Sequence, residues 1–155
     1  MPQRFYLILP NIRSCHNVGA MFRCADACGV TKIFLVGYTP TPPRPEIAKV
    51  ALGAETWVPW QKRKDLKLLI TSLQKKGVCV VALEKTGASQ DVGKWQKDKH
   101  ASGVALIVGN EVDGISPDIL TLCDAVCHIP MVGKKESLNV SVAAGIGMYV
   151  MSQKI

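Results

Sequence analysis

Three clusters of polar residues and glycines have the types and spacing of a ligand-binding or catalytic site. The first contains Asn17, Gly19 and Arg23, and the last two, four residues apart, share one face of a helix. Glycine lets a ligand or another chain segment approach closely, and an arginine can bind a phosphate through two parallel hydrogen bonds. From spacing alone, a helix-capping asparagine and a solvated arginine explain this cluster equally well.

The second and third clusters follow later apolar runs. Residues 109–116 read GNEVDGIS, a tight turn with two glycines around two carboxylates. This turn lacks the Gly-Lys-Ser/Thr of a P-loop, and the chain contains no GxGxxG fingerprint, so a polar turn alone would explain it. In residues 129–141, Ser137, Asn139 and Ser141 crowd the start of a helix, where one such residue is enough for capping. Three polar residues where one would cap the helix favour a functional site.

An alternation of strands and helices positions these clusters. Continuous apolar runs predict strands at residues 5–9, 32–36, 78–83, 104–108 and 125–129, with a short edge strand at 57–60. Helical patterns predict helices at 48–53, 65–76 and 117–122, one capped by Asn17 that ends before Gly29, and a final one capped by Ser137 that ends near Ser152. This order is typical of an α/β fold, a mostly parallel sheet with helices on both faces. Ligands bind at the carboxyl ends of such strands, where all three clusters lie.

The final helix is apolar nearly all round, which requires burial on several sides. In a domain this small, such burial predicts a subunit interface. Gly145 and Gly147 each cost about 1 kcal/mol of helix stability relative to alanine. We expect another backbone to approach closely there.

Composition favours a polyanionic partner. Nineteen basic and twelve acidic residues give a net charge of +7, and lysine and arginine that neutralise phosphates release condensed counterions; a merely basic, soluble protein is the alternative. No apolar run approaches the length of a membrane helix, and no signal peptide is visible, so we expect a cytoplasmic protein. The six cysteines form no CxxC pair and have no matching histidine set, so we expect no metal site and mostly buried, structural thiols.

Together, the clusters resemble the three signature motifs of the SpoU (TrmH-like) branch of the SPOUT RNA methyltransferases. The matching motifs are Asn17-x-Gly19-x-x-x-Arg23 with Gly29, Gly109-x-Glu111-x-x-Gly114-Ile115-Ser116, and Ile129-Pro130-Met131 through Ser137-Leu138-Asn139-Val140-Ser141. The likeness covers nearly the whole chain without a departure at these positions. The chain resembles the minimal catalytic domain, without the extra RNA-binding domain of larger relatives, and we predict one SpoU-type methyltransferase domain over residues 1–155.

The resemblance implies a SPOUT fold with a C-terminal trefoil knot, a homodimer through the C-terminal helix, and S-adenosylmethionine as cofactor. The reaction implied is methyl transfer to a ribose 2′-hydroxyl of RNA. Arg23 would be the central catalytic residue, either assisted by a phosphate or orienting the ribose while the proton leaves otherwise. Asn17, Glu111, Ser137 and Asn139 would position Arg23 and the substrate. The residues that match the cofactor pocket are Leu83, Glu84, Gly109, Ile129, Ser137 and Leu138.

Basic side chains around the pocket are candidates for RNA contact, above all Arg13, Arg44, Lys134 and Lys135. Trp57, Trp60 and Trp95 could stack on bases, although packing in the core or a dimer is an alternative. Chain length favours tRNA over ribosomal RNA as the substrate. The alternatives are the same reaction on ribosomal RNA and a non-catalytic RNA-binding protein that keeps the fold. The intact Arg23, Glu111 and Asn139 argue against the second.

Overall fold

A computed structural model describes residues 3–155, whose seven strands form one sheet. The strand order is β3-β2-β1-β6-β4-β7-β5, and every neighbouring pair is parallel. The predicted α/β class with a parallel sheet is therefore confirmed. The trefoil knot stays a prediction, because strand order alone does not define how the chain threads. The strands are β1 (Arg4–Pro10), β2 (Lys32–Val36), β3 (Trp60–Arg63), β4 (Val78–Leu83), β5 (Gln90–Asp91), β6 (Gly103–Ile107) and β7 (Ala125–His128).

Helices cover both faces of the sheet, as predicted. Leu7 and Leu9 of β1 belong to one apolar core, and Ile8 between them belongs to a second, because successive side chains of a strand point to opposite faces. The first core is closed by α1, α2, α3 and α6, and the second by α4 and α5. The helices are α1 (Cys15–Ala27), α2 (Pro45–Ala51), α3 (Ala54–Trp57), α4 (Leu66–Lys75), α5 (Pro117–Leu122) and α6 (Val140–Ser152).

Two helix caps differ from the sequence-based predictions. Ser14, rather than Asn17, caps α1, and its hydroxyl accepts a hydrogen bond from the N–H of Asn17 at 3.1 Å. Asn139, rather than Ser137, caps α6, because its side-chain oxygen accepts from Ser141 N at 2.9 Å and from Val142 N at 3.4 Å. Each cap needs only one acceptor near the first free N–H groups, so the neighbouring polar side chains are left for other contacts.

The predicted strand at residues 57–60 is wrong. Trp57 ends the short helix α3, and the outer strand β3 begins only at Trp60. The indole N–H of Trp57 donates to Asp26 at 2.8 Å, while Trp95 is buried in the core, which leaves it no face for a base. A local preference of aromatic residues for strands was overridden here by tertiary contacts.

Three glycines allow close packing around α1 and α6. A Cβ on Gly19 would lie 2.6 Å from the carbonyl oxygen of Ile47, so Gly19 permits α1 to pack on α2 and admits no ligand. At Gly145 a Cβ would meet Cys24 Sγ at 3.3 Å, and at Gly147 it would meet Leu83 Cδ2 at 3.1 Å. These last two neighbours are side chains, so no other backbone of the same chain meets α6 at these glycines, and the approach of a second copy stays a prediction.

One face of α6 is buried and the other is exposed. Ala144, Met148 and Met151 lie in the core, whereas the exposed fractions of Val142 and Tyr149 are 49% and 63%. Burial on several sides is therefore not achieved within a single chain. Among residues 3–155, no helix combines the length and the apolar character that crossing a membrane requires.

Candidate functional site

The sheet brings the three predicted clusters to one edge. The strands β1, β6 and β7 end at Pro10, Ile107 and His128, and each cluster follows one of these ends. Since β1 pairs with β6, and β4 joins β6 to β7, the three loops leave neighbouring positions at the carboxyl edge. This is the edge where open α/β sheets bind ligands.

Glu111 connects the second cluster to the first. Its carboxylate accepts hydrogen bonds from the backbone N–H of Arg13 at 2.9 Å and of Ser14 at 3.0 Å, and from the side-chain amide of Asn17 at 3.4 Å. Burial raises the pKa of Glu111, but these hydrogen bonds outweigh that effect and hold the pKa below its ordinary value. Glu111 is therefore a carboxylate anion that holds the start of α1 in place.

Asn17 connects the first cluster to the third. Asn17 is 7% exposed, and its side-chain oxygen accepts a hydrogen bond from the amide of Asn139 at 3.3 Å. The other end of the Asn139 amide caps α6. A chain of hydrogen bonds thus runs from Glu111 through Asn17 to Asn139, and it joins residues that lie 94 and 122 positions apart.

A cavity of about 820 Å³, here called the inner cavity, lies beside this chain. Glu111 and Asn139 line it, together with Lys85, His128 and Lys135. Its volume is in the range of sites that bind small molecules and cofactors. All six residues predicted to bind the cofactor also line it, namely Leu83, Glu84, Gly109, Ile129, Ser137 and Leu138.

Glu84 fixes the loop of residues 109–116 against the inner cavity. Its carboxylate accepts a hydrogen bond from the N–H of Ile115 at 2.9 Å. Gly114 has a φ of +66° and lies so close that a Cβ there would be 2.7 Å from the same carboxylate. A Cβ on Gly109 would lie 2.8 Å from the backbone of Gly114. The two glycines of this motif are thus required by its tight turn.

Arg23 lies apart from this network. It is exposed on α1 and is absent from the residues that line the inner cavity. Arg13 contributes its backbone N–H to Glu111, and Arg44 precedes α2 beside a separate small groove that includes Trp60. Lys134 is exposed in the loop before α6. The structure therefore brings together Asn17, Glu111, Ser137 and Asn139, but not Arg23, within one chain.

Sequence reasoning missed two asparagines. Asn110 donates its side-chain amide to the carbonyl oxygen of Asn11 and to the hydroxyl of Tyr38, the latter at 2.9 Å. Asn11 has a φ of +52°, in the left-handed region that asparagine tolerates better than most residues. The available signal was an asparagine close after a buried strand, directly after β1 for Asn11 and three residues after β6 for Asn110.

Most of the cysteines are less buried than the sequence predicts. Only Cys127 is buried, and the other five are half-buried. Burial raises the pKa of Cys79 and Cys127 to about 11 and that of Cys123 to about 12, so these thiols are protonated and weakly nucleophilic at neutral pH. Among residues 3–155, no three His, Cys, Asp or Glu side chains are grouped as metal ligands.

The sequence has clear relatives. Residues 4–149 match the model of the SpoU rRNA Methylase family. The chain is 34% identical over 147 residues to the 23S rRNA (guanosine-2'-O-)-methyltransferase RlmB of Vibrio cholerae. The aligned region covers 95% of this chain and 58% of that protein. It is 32% identical over 157 residues to the putative TrmH family tRNA/rRNA methyltransferase YacO of Bacillus subtilis, and this alignment covers 98% of this chain and 59% of that protein. The chain thus spans about six tenths of the length of these curated relatives.

A solved structure supports the same relationship. The AdoMet-bound rRNA methyltransferase from Sinorhizobium meliloti is 29% identical and superposes with a TM-score of 0.89, over 99% of this chain and 57% of that chain. The match over residues 4–149 establishes that the chain belongs to the SpoU rRNA methylase family.

Proposed function

We propose that this chain transfers a methyl group from S-adenosylmethionine to a ribose 2′-hydroxyl of RNA. The observation that carries the proposal is the hydrogen-bonded chain from Glu111 through Asn17 to Asn139, which lies beside the inner cavity. Membership of the SpoU family and the AdoMet-bound relative support it.

The inner cavity fits the cofactor in shape and chemistry. Leu83, Ile129 and Leu138 offer apolar surface for an adenine ring, and Gly109 exposes backbone without a side chain. The carboxylates of Glu84 and Glu111 favour a positively charged group nearby. When bound, the sulfonium of the cofactor supplies an electrophilic methyl group. The residues that line the inner cavity would hold that group.

Arg23 is proposed as the central catalytic residue, as the family motif implies. Arginine is in general a poor base, because its guanidinium is not deprotonated in proteins. Arg23 acts either with the assistance of an RNA phosphate or by orienting and polarising the ribose while the proton leaves by another route. Asn17, Glu111, Ser137 and Asn139 position the ribose, since orientation of the reacting atoms is the main requirement of an in-line displacement.

A homodimer through α6 would complete the site. Val142, Ile146 and Tyr149 form an exposed apolar face on this helix, which favours burial against a second copy of the chain. Arg23 precedes Cys24, whose sulfur packs near Gly145 of α6. A partner that covers this face therefore lies near Arg23, and we propose that Arg23 of each protomer serves the inner cavity of the other.

Basic side chains would hold the RNA. Lys135 lines the inner cavity, and Arg13, Arg44 and Lys134 are exposed. A tRNA substrate, a cytoplasmic location and a single domain over residues 1–155 stay predictions. The names of the curated relatives favour 23S ribosomal RNA as a second candidate substrate. Mapping ribose methylation in tRNA and ribosomal RNA from a strain that lacks this protein distinguishes the two.

The substitution Arg23→Ala tests the mechanism. We expect methyl transfer to RNA to fall by about 10²- to 10⁴-fold, the usual contribution of a residue that assists proton transfer. The affinity for S-adenosylmethionine, measured by calorimetry, should be unchanged. Lys75→Ala, which removes an equal charge from the end of α4, is the control and should retain full activity. Undiminished turnover by Arg23→Ala would remove Arg23 from the chemistry, and a wild-type protein without affinity for the cofactor would refute the proposed function.

A further inference from the structure

A second cavity of about 650 Å³, here called the outer cavity, lies on the other side of the loop of residues 109–116. Asn110, Asp113 and Gly114 line both cavities, so this loop forms the wall between them. The outer cavity extends along the carboxyl edge of the sheet to Tyr38 and Lys64, which follow β2 and β3. None of the three family motifs accounts for this extension.

Tyr38 presents a fixed aromatic ring to the outer cavity. The residue is 61% exposed, yet its hydroxyl accepts a hydrogen bond from the amide of Asn110 at 2.9 Å. Its backbone N–H donates to the side chain of Asn11 at 3.1 Å. An exposed ring that is held at both ends is a ready stacking surface, and stacking on an aromatic ring is how proteins bind the bases of single-stranded nucleic acids.

Lys64 forms no salt bridge within the described residues, although the carboxylates of Asp65, Asp113 and Asp118 line the same cavity. Within residues 3–155 the only salt bridge joins Lys67 to Asp118, at 2.9 Å. The carboxylate of Asp65 is used to cap α4, where it accepts from Leu68 N at 3.0 Å. Lys64 itself is exposed and makes no hydrogen bond or ion pair among the described residues. Its ammonium group is therefore available for a phosphate.

The order of the strands sets the distance between these groups and the proposed reaction site. Neighbouring strands lie about 4.8 Å apart, and β3, β2, β1 and β6 are consecutive in the sheet. The ends of β3 and β6 are therefore separated by about 14 Å, three such spacings. Tyr38 follows β2, which is only two spacings or about 10 Å from β6, so the base of the nucleotide next to the one in the site can reach it, and the far phosphate of that nucleotide then lies towards Lys64. Asp113, on the side of β6, repels a phosphate and accepts N–H groups of a base, which orients that nucleotide.

We propose that the outer cavity binds a nucleotide adjacent to the methylated one, with its base stacked on Tyr38 and its phosphate bound by Lys64. This proposal rests on the proposed function, because the adjacent nucleotide belongs to the RNA that is methylated. It makes the outer cavity the place where the enzyme discriminates between RNA sequences or shapes around its target.

The test compares Tyr38→Ala, Tyr38→Phe and Lys64→Ala with the control Lys75→Ala. The probe is RNA extracted from a strain that lacks the protein, and the readouts are the KM for RNA and the salt dependence of RNA binding. Loss of a stacked base costs about 1–3 kcal/mol, so Tyr38→Ala should raise KM about 5- to 150-fold. Tyr38→Phe keeps the ring and should have a much smaller effect. Lys64→Ala should lower the slope of log K against log salt by about one.

The affinity for S-adenosylmethionine should be unchanged in all four variants, which separates this proposal from the proposed function. If the wild-type protein transfers no methyl group to RNA, the proposed function fails, and RNA binding alone decides the role of the outer cavity. If Tyr38→Ala and Lys64→Ala bind RNA as Lys75→Ala does, with the same KM wherever there is turnover, the outer cavity is not a nucleotide site.

Discussion

The inner and outer cavities share one wall but are built in different ways. The inner cavity is surrounded by carboxylates and amides that bind the backbone of other loops, as Glu111 binds Arg13 and Ser14 and Glu84 binds Ile115. The outer cavity also has such links, from Asn110 to Tyr38 and from Asp65 to the start of α4, but beside them it offers an exposed ring and an unpaired lysine. A lining fixed by contacts between loops suits a small cofactor, whereas an exposed ring and an unpaired ammonium group suit a base and its phosphate.

The wall between the inner and outer cavities should not tolerate an added methyl group, and this is the largest effect that we expect. Gly109→Ala places a Cβ 2.8 Å from the backbone of Gly114, so the loop must shift. Because displacement by about 1 Å can cost 10²-fold in activity, we expect a loss of about 100-fold in methyl transfer and a weakened affinity for S-adenosylmethionine. The control is Gly87→Ala, at a glycine with open space around it, and equal activity of the two variants would contradict this account.

One helix cap lies at each cavity, so the two caps separate the effect of capping from the effect of the link between loops. Asn139 caps α6 at the inner cavity, and Asp65 caps α4 at the outer one. Substitution of either residue by alanine should lower the free energy of unfolding by about 1 kcal/mol, measured by urea titration. Only Asn139→Ala should also reduce turnover at saturating RNA, because it alone breaks the bond to Asn17. A similar loss of turnover in Asp65→Ala would show that capping, rather than the link between loops, matters.

The smallest expected effect is a pH dependence of stability. The folded pKa of Glu111 is below its ordinary value, so its contribution to stability is fully present above the unfolded pKa and is lost as pH falls through the folded pKa. We expect wild-type protein to be more stable than Glu111→Gln at pH 7, with the difference shrinking below about pH 4. Urea midpoints across this range measure it, and a difference that is independent of pH would mean that the charge of Glu111 does not act.

The sequence predicts the strands better than the contacts between loops. The runs that became β1, β2, β4 and β6 are continuously apolar, because a parallel sheet covered on both faces leaves no side of a strand in water. The role of Ser14 was hidden, because Ser14 and Asn17 are both good capping residues and only the contact to Glu111 decides between them. That contact joins residues 94 positions apart, and no local pattern reports such a pairing. Motif resemblance, by contrast, named six residues for the cofactor pocket, and all six are among those that line the inner cavity.

The central place of β1 in the sheet has a consequence for synthesis. Its neighbour β2 follows after a single helix, but its other neighbour, β6, begins only at Gly103. While the ribosome makes the intervening segment, a nascent chain that has formed β1, β2 and β3 carries β1 as an open, apolar edge. Such an edge pairs readily with other chains, so we expect the half-made protein to depend on chaperones for longer than its modest length suggests.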